Sequence, residues 1–510
     1  MLLRLSCLLC VVSLGFPNAH VAQSPKAESL VRVLDEFIVK GMRDWAIPGL
    51  AVAVVRNDSV LLQKGYGTRE LARTGAVDEH TLFGIMSTTK AMTSAAIAML
   101  VDDGVVSWND PVTKWIPEFE MPEPYVTSAL TVVDLLTHRA GLGNADLLWV
   151  RGDLDEAEIF RRVRYLDPAY SFRAGYTYQN IMYGLAGELI ARASGMPYGE
   201  FLKDRLLDPL GMSRTFTSLA AVRESGDDNV SSSHFEIRDT VRVIEEEAVD
   251  VLASAGAVWS NASDMARWLR FLLDSARVGG RDLIKPETFA ELFRPHTIIP
   301  ANQFYPTVRL TQPHWTTYAL GWFQQDYRGH YVAFHTGSLS GRIAIVGLLP
   351  DERFGIVVLG NLDHAEFRHA LMLRAFDLQL GDTGRDWSDE LLGLYRGFAA
   401  QADSARSARE TQRRIGTKPL LPLSQYVGTY THPVWGDLVV GETGDGLTAC
   451  MGMENQLRGS LVHWHYDTFR IQLGDGRSEP DWVQFVLARD GTVSELRFGA
   501  DGELVFRRKP

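Results

Sequence analysis

The residues best able to do chemistry in this chain are Ser87 and Lys90, in the run Ser87-Thr88-Thr89-Lys90. They open an apolar stretch, 88–101, that reads as a long helix. On a helix, positions three apart share a face, so the amine can lie beside the hydroxyl and take its proton. That is the minimal geometry for an activated serine nucleophile. By itself the pattern fits a helix start beside a solvated lysine equally well, because serine is a favoured cap. Two further groupings shift the balance. Tyr178-Gln179-Asn180 sets a phenol and a carboxamide two residues apart in a loop, where both can face one cleft. His335-Thr336-Gly337-Ser338 falls at the end of a predicted strand. Gly337 lets a substrate backbone come close, and the N–H after it can join the Ser87 N–H in an oxyanion hole.

These groups need elements to position them. Residues 27–45 have helical spacing, and 50–56 with 60–65 read as two strands joined by the turn Asn57-Asp58-Ser59. The Ser87 helix should stop at Gly104. A Pro-punctuated, mostly helical region follows, with helices expected at 181–194 and, from a Ser/Asp cap, at 263–273. Strands return at 318–327, 331–335, 342–349 and 355–360, before a helix over 365–380. Strands at both ends of this region predict an α+β domain: one antiparallel sheet flanked by helices, with a helical subdomain inserted. Residues 386–418 read as a connecting helix and polar linker. From 419 to 510, Asp-Gly pairs between short strands predict a β-meander or small β-barrel.

The chain of 510 residues, 46% hydrophobic and 22% charged, is long enough for two or more domains. A net charge of −12 without a Lys/Arg cluster argues against a nucleic-acid partner. Arg4, an apolar run over 5–16 and small residues at Ala19 and Ala22 read as an export signal spanning 1–22. The expected location is therefore periplasmic or secreted, with no stable membrane span after cleavage. The mature chain would keep only Cys450, expected as a small buried apolar residue, and so no internal disulfide. Oligomeric state is not readable.

Taken together, the three groupings resemble the serine hydrolases of the class C β-lactamase, DD-peptidase and D-aminopeptidase superfamily, with their S-x-x-K, Y-x-N and K/H-T-G motifs in that order. Supporting stretches are Leu135-Leu136-Thr137-His138 with Gly141-Leu142, Ser263-Asp264-Met265-Ala266 and Leu320-Gly321-Trp322. The resemblance covers about 27–385. Tyr426-Val427-Gly428-Thr429-Tyr430 resembles the lipocalin-like domain appended to some of these enzymes. The resemblance implies an acyl-enzyme on Ser87, general-base work shared by Lys90 and Tyr178, and substrate contacts from Asn180, His335, Thr336, Gly337 and Ser338. It implies no metal and no organic cofactor, and a small-molecule or peptide substrate. Histidine at 335 replaces the lysine of dedicated β-lactamases, and is only partly charged near neutral pH. That points to small amides or esters, including D-amino-acid peptides, ahead of β-lactams. The alternatives are a β-lactamase or a penicillin-binding sensor that is acylated but turns over slowly. The C-terminal domain is expected to narrow substrate access.

Other candidates are weaker. His463 and His465 alternate on a predicted strand and could share a face, although no further metal ligands stand at usual spacing. Glu245-Glu246-Glu247 reads as a solvated run. Trp435, Trp464 and Trp482 read as barrel core or rim. Asn57, Asn229 and Asn261 begin N-x-S/T patterns, which matter only in a glycosylating host.

Overall fold

Three strands of this chain are apolar at nearly every position: Gly49–Arg56 (β1), Arg342–Leu349 (β7) and Phe354–Gly360 (β8). Continuous runs of this kind suit strands covered on both faces. In the computed structural model, which describes residues 25–381, 383–444, 446–452, 457–474, 477, 479–499 and 502–510, these strands form the centre of an eight-stranded antiparallel sheet. The others are Ser59–Gly67 (β2), Thr297–Ile298 (β3), Thr316–Tyr318 (β4), Phe323–Tyr327 (β5) and His330–Leu339 (β6). The order is β2-β1-β8-β7-β6-β5-β4-β3, so both ends of the domain meet where β1 pairs with β8.

Alternation along the strands divides two cores. Leu50, Val52, Val54, Ile345 and Val358 face one side, with helices Pro25–Asp44 (α1) and Phe367–Leu380 (α5). Ala51, Ala53, Val55, Val346 and Leu359 face the other, with Thr89–Asp102 (α2), Asn180–Ser194 (α3) and Ala262–Leu273 (α4). Helix α2 is buried on all sides from Thr89 to Leu100, which places it at the middle of the domain. It ends at Gly104, whose φ of 71° closes the helix.

Several local expectations change. The run 318–327 is two strands, because Gly321 (φ 84°) turns the chain against α2. A Cβ there would lie 2.9 Å from both the Lys90 carbonyl oxygen and the Ala91 Cα. Helix α4 is capped by Asn261, whose side chain accepts the Asp264 N–H, and not by Ser263. The histidine motif lies inside β6, which runs on to Leu339, and not at a strand end. The acidic run is not simply solvated: Glu246 pairs with buried Arg342 (Nε–Oε1 3.0 Å) and Glu247 with Arg477 at 2.8 Å.

A long helix, Trp387–Thr411 (α6), leads to a closed antiparallel barrel of eight strands, β9 to β16: Gly428–His432, Gly436–Thr443, Gly446–Met451, Leu457–His465, Thr468–Ile471, Asp481–Leu487, Val493–Phe498 and Leu504–Arg508. Asp490-Gly491 makes the turn between β14 and β15, with Gly491 at φ 84°. Asp445, Asp475-Gly476 and Asp501 of the other expected turns lie outside the described residues, as do Cys7, Cys10 and the expected signal segment. Cys450 is half-buried, on the opposite face of β11 from the interior residues Leu447, Ala449 and Met451. A bulge in β12 separates His463 from His465. His463 Nε2 bonds the Tyr466 carbonyl, and His465 Nδ1 accepts the Arg414 N–H. No helix among the described residues is long and apolar enough to cross a membrane.

Candidate active site

Ser87 stands in a single 3₁₀ turn, Met86–Thr88, that runs directly into α2. Met86 has φ 47°, a left-handed conformation costly for a residue with a side chain. Surrounding bonds hold the turn: Thr88 Oγ1 donates to the Ile85 carbonyl at 2.7 Å, and the Ile85 N–H donates to the Val258 carbonyl at 2.8 Å. The hydroxyl of Ser87 therefore projects at the mouth of a buried helix, into a cavity of about 390 Å³.

Lys90 lies one turn into α2 and is fully buried. Its Nζ is 3.1 Å from Ser87 Oγ, 2.7 Å from Asn180 Oδ1 and 2.8 Å from the Ala255 carbonyl oxygen. Burial brings the amine down to about 7, against the opposing pull of the Asp146 carboxylate. The neutral amine is therefore well populated at neutral pH, beside the ammonium form. Tyr178 reaches Ser87 with its hydroxyl, and burial pushes that phenol well above its ordinary range. Lys90 Nζ lies 4.8 Å from the Tyr178 ring centre. Asn180, at the first turn of α3, also donates from Nδ2 to Asp146 at 3.0 Å, so its carboxamide bridges the lysine and a carboxylate.

Beneath Tyr178 sits His138, a buried residue whose Nδ1 accepts the Gln179 N–H at 3.0 Å. Its ring lies 4.3 Å from that of Tyr178 and 4.5 Å from that of Tyr318. Burial, Lys90 and His335 all hold His138 neutral. The Leu-Leu-Thr-His stretch thus supports the tyrosine loop from below.

Strand β6 passes the serine on its other side. A Cβ on Gly337 would sit 2.3 Å from the Ile85 oxygen and 3.0 Å from the Ser87 nitrogen. Only glycine allows this approach. Thr336 and Ser338 line the cavity; Thr336 Oγ1 meets the Tyr305 hydroxyl at 2.5 Å, and Ser338 Oγ accepts from Arg368 at 2.7 Å. His335 departs from its expected part. Its side chain points to the α2 face of the sheet, is buried, and does not line the cavity. Nε2 is 2.9 Å from the Tyr318 hydroxyl and Nδ1 is 2.6 Å from the Thr336 carbonyl. Burial and Lys90 lower it to about 3, so it is uncharged at neutral pH and offers no cation to a substrate carboxylate.

Among the pocket residues that carried no motif are Asp146, Glu366 and Arg368. Arg368 donates to Ser338 and the Gly337 carbonyl, which braces β6. Its charge is matched by Glu366, at 2.9 and 3.2 Å. The detectable signal was a charged patch, Glu366 with Arg368-His369, at the head of a largely apolar helix that also carries Arg374 and Asp377.

The barrel touches the segment that carries one pocket wall. Arg151, 4% exposed, donates to the Trp435 carbonyl, and Arg162 donates to the Val434 carbonyl at 3.0 Å. A Cβ on Gly452 would meet the Arg151 carbonyl oxygen at 2.7 Å. The segment held in this way carries Asp146 and Trp149, both in the cavity wall.

Comparison with known proteins agrees with this geometry. Residues 34–379 match the Beta-lactamase family model, and 412–508 match a domain of unknown function, DUF3471. Unguisins hydrolase ungD' of Aspergillus campestris is 29% identical over 79% of this chain and 76% of its own length. Protein flp of Staphylococcus aureus (strain MW2) is 24% identical over 65% of this chain and 63% of its own. The octameric penicillin-binding protein homologue from Pyrococcus abyssi superposes with a TM-score of 0.60 at 20% identity, covering 92% of this chain and 98% of that one. SurE with D-Leu superposes with a TM-score of 0.55 at 20% identity, covering 95% and 99%.

Proposed function

The chain belongs to the Beta-lactamase family, and from that premise we propose that this serine hydrolase works through an acyl-enzyme on Ser87 and cleaves small amides or esters, D-amino-acid peptides among them. The observation that carries the reading is the bonding of Lys90. A neutral amine has two N–H donors and one lone pair. The Asn180 and Ala255 oxygens take the two donors, which leaves the lone pair for the Ser87 proton. Lys90 is then the base for attack. Tyr178 stays protonated and passes a proton to the leaving group, and Lys90 replenishes it. The Ser87 and Ser338 N–H groups hold the oxyanion, with Gly337 bringing the two segments together. Asn180 hydrogen-bonds the acyl half of the substrate. Water completes turnover by hydrolysing the ester on Ser87.

The substrate class finds support in charge and in kinship. His335 is neutral and Arg368 is already paired with Glu366, so the pocket has little to offer the carboxylate of a penicillin. One relative is named for hydrolysing unguisins, and one structural neighbour holds D-Leu. The test is intact mass after reaction with an activated ester and with a penicillin. An acyl group on Ser87 that disappears within seconds to minutes is the expected result. No adduct with either probe, or cephalosporins hydrolysed much faster than D-peptides and esters, overturns the proposal.

Export is part of the same reading, with cleavage near Ala22. N-terminal sequencing of the exported protein checks it. We also assign the barrel a part in substrate access, through its hold on the 146–151 segment. Arg151→Ala, which removes the bond to the Trp435 carbonyl and also the ion pair with Asp153, is expected to raise KM about tenfold or more with kcat changed less than about threefold. An unchanged KM across the substrate series would exclude this role.

A further inference from the structure

Asp146 lines the same pocket and takes no proton or acyl group in this scheme. Its Oδ1 accepts from Asn180 Nδ2 at 3.0 Å and from Trp149 Nε1 at 2.8 Å, and its Oδ2 accepts from Asn144 Nδ2 at 3.0 Å. All three donors are neutral. Among the described residues, no Lys, Arg or His forms an ion pair with this carboxylate. The other charges of the cavity are matched: Glu366 holds Arg368, and Asp363 holds His364 at 2.7 Å. The wall beside Asn180 therefore carries a half-buried negative charge with no ion-pair partner, reaching Lys90 only through the Asn180 carboxamide, in a cavity also lined by the apolar Val249 and Leu252. A carboxylate in that setting gains most from a cationic hydrogen-bond donor. The indole of Trp149, fixed by its own bond to Asp146, adds an aromatic wall suited to an ammonium.

We propose that Asp146 and Trp149 form a subsite for a protonated amine on the acyl half of the substrate, so that the enzyme selects aminoacyl amides and esters with a free amine over their N-acylated forms. The proposal rests on the acyl-enzyme reading, since Asn180 marks the acyl side. Acylating that amine removes its charge and two donors, and brings a carbonyl oxygen towards a carboxylate that can only repel it. Asp146 here determines specificity. If it merely oriented Asn180, its loss would slow all substrates alike.

The experiment uses the full chain and p-nitroanilides of D-alanine, L-alanine and β-alanine, each with a free and an N-acetylated amine. In the wild type, at least one free-amine compound should exceed its N-acetyl partner about tenfold or more in kcat/KM. Asp146→Asn, nearly isosteric and still able to accept from Asn180 and Trp149, should lower that value about 10- to 100-fold. The ratio of free-amine to N-acetyl kcat/KM should fall about tenfold or more, over and above whatever both forms lose together through Asn180 and Lys90, the pattern for a site that loses its one charged partner. Equal or better wild-type turnover of every N-acetyl compound overturns the subsite. So does an equal loss for both forms in Asp146→Asn. The wild-type comparison stands even where the variant fails to fold. Acylation of Ser87 by an activated ester, followed by mass, separates the two levels. If the adduct forms without an amine preference, only the subsite falls; if no adduct forms, the acyl-enzyme reading falls and takes the subsite with it.

Discussion

Lys90→Met is expected to lower kcat/KM by about 10³- to 10⁴-fold while leaving a folded protein, at the upper end of what a positioned general base contributes. The wild-type pH profile gives the companion result. Lys90 is brought down to about 7 by burial, so kcat/KM should rise with an apparent pKa near that value and level off above it. His335 sits at about 3 and His138 is held well below its ordinary value, so neither supplies that limb. In Lys90→Met the limb should vanish along with most of the rate. Stability should report the same group. Between pH 7 and about 10, the unfolded chain keeps a proton on Lys90 that the folded protein has released. The unfolded state binds more protons over this range, so wild-type stability rises with pH relative to Lys90→Met, by up to about 1.4 kcal/mol per unit. Thermal melts of the two proteins at pH 7 and pH 9 measure it. A gap that stays constant would mean that Lys90 is protonated in the folded enzyme and cannot be the base, and a pH–rate profile flat through neutrality would mean that it does not titrate near 7.

The Ser87 half of this candidate site was legible because local geometry brings its residues together. Ser87 and Lys90 share a helix face whatever surrounds them, and Tyr178 and Asn180 sit where a loop meets α3. The sheet was legible for a related reason, since β1, β7 and β8 are too apolar to stand anywhere but the centre. His335 was misread because a strand alternates its side chains. Thr336 and Ser338 face the cavity and Arg368, which sends His335 to the other face, under Lys90. There its charge is lost to burial, and a motif letter says nothing of burial. Asp146 had no signal, because its meaning depends on Asn180, 34 residues on, meeting it beside the local bond from Trp149. The barrel's grip was equally hidden. Arg151 and Arg162 pair with the nearby Asp153 and Glu158, but they also donate to backbone carbonyls more than 270 residues away, which nothing local in the sequence announces.

Gly337→Ala is expected to cost about 10²-fold or more in kcat/KM, although the new methyl group touches no substrate. The reason is contact between two backbones. At this position φ is not in the left-handed region, so alanine meets no conformational penalty of its own. What it meets is the Ile85 oxygen at 2.3 Å, Met86 Cβ at 2.9 Å and the Ser87 nitrogen at 3.0 Å. None of these is the end of a flexible side chain. The turn cannot yield freely, because Thr88 and Val258 fix Ile85 from both sides and Met86 is already strained. Strand β6 cannot yield freely either, because it is paired with β5 and β7, and Arg368 ties Gly337 and Ser338 from behind. The strand and the serine turn must therefore part by a fraction of an ångström to an ångström. That spreads the two oxyanion donors, and displacements of that size cost about 10²-fold in catalysis. The loss should fall on kcat, with KM little changed, because the donors act on the transition state. Overpacking should also cost about 1–3 kcal/mol of stability, so rates are compared where circular dichroism shows both proteins folded. Gly393→Ala is the control: it lies on α6 with open space around it and should leave kcat/KM unchanged. A Gly337→Ala enzyme with normal kcat would show that the two N–H groups do not need this close packing, and would remove Ser338 from the oxyanion hole.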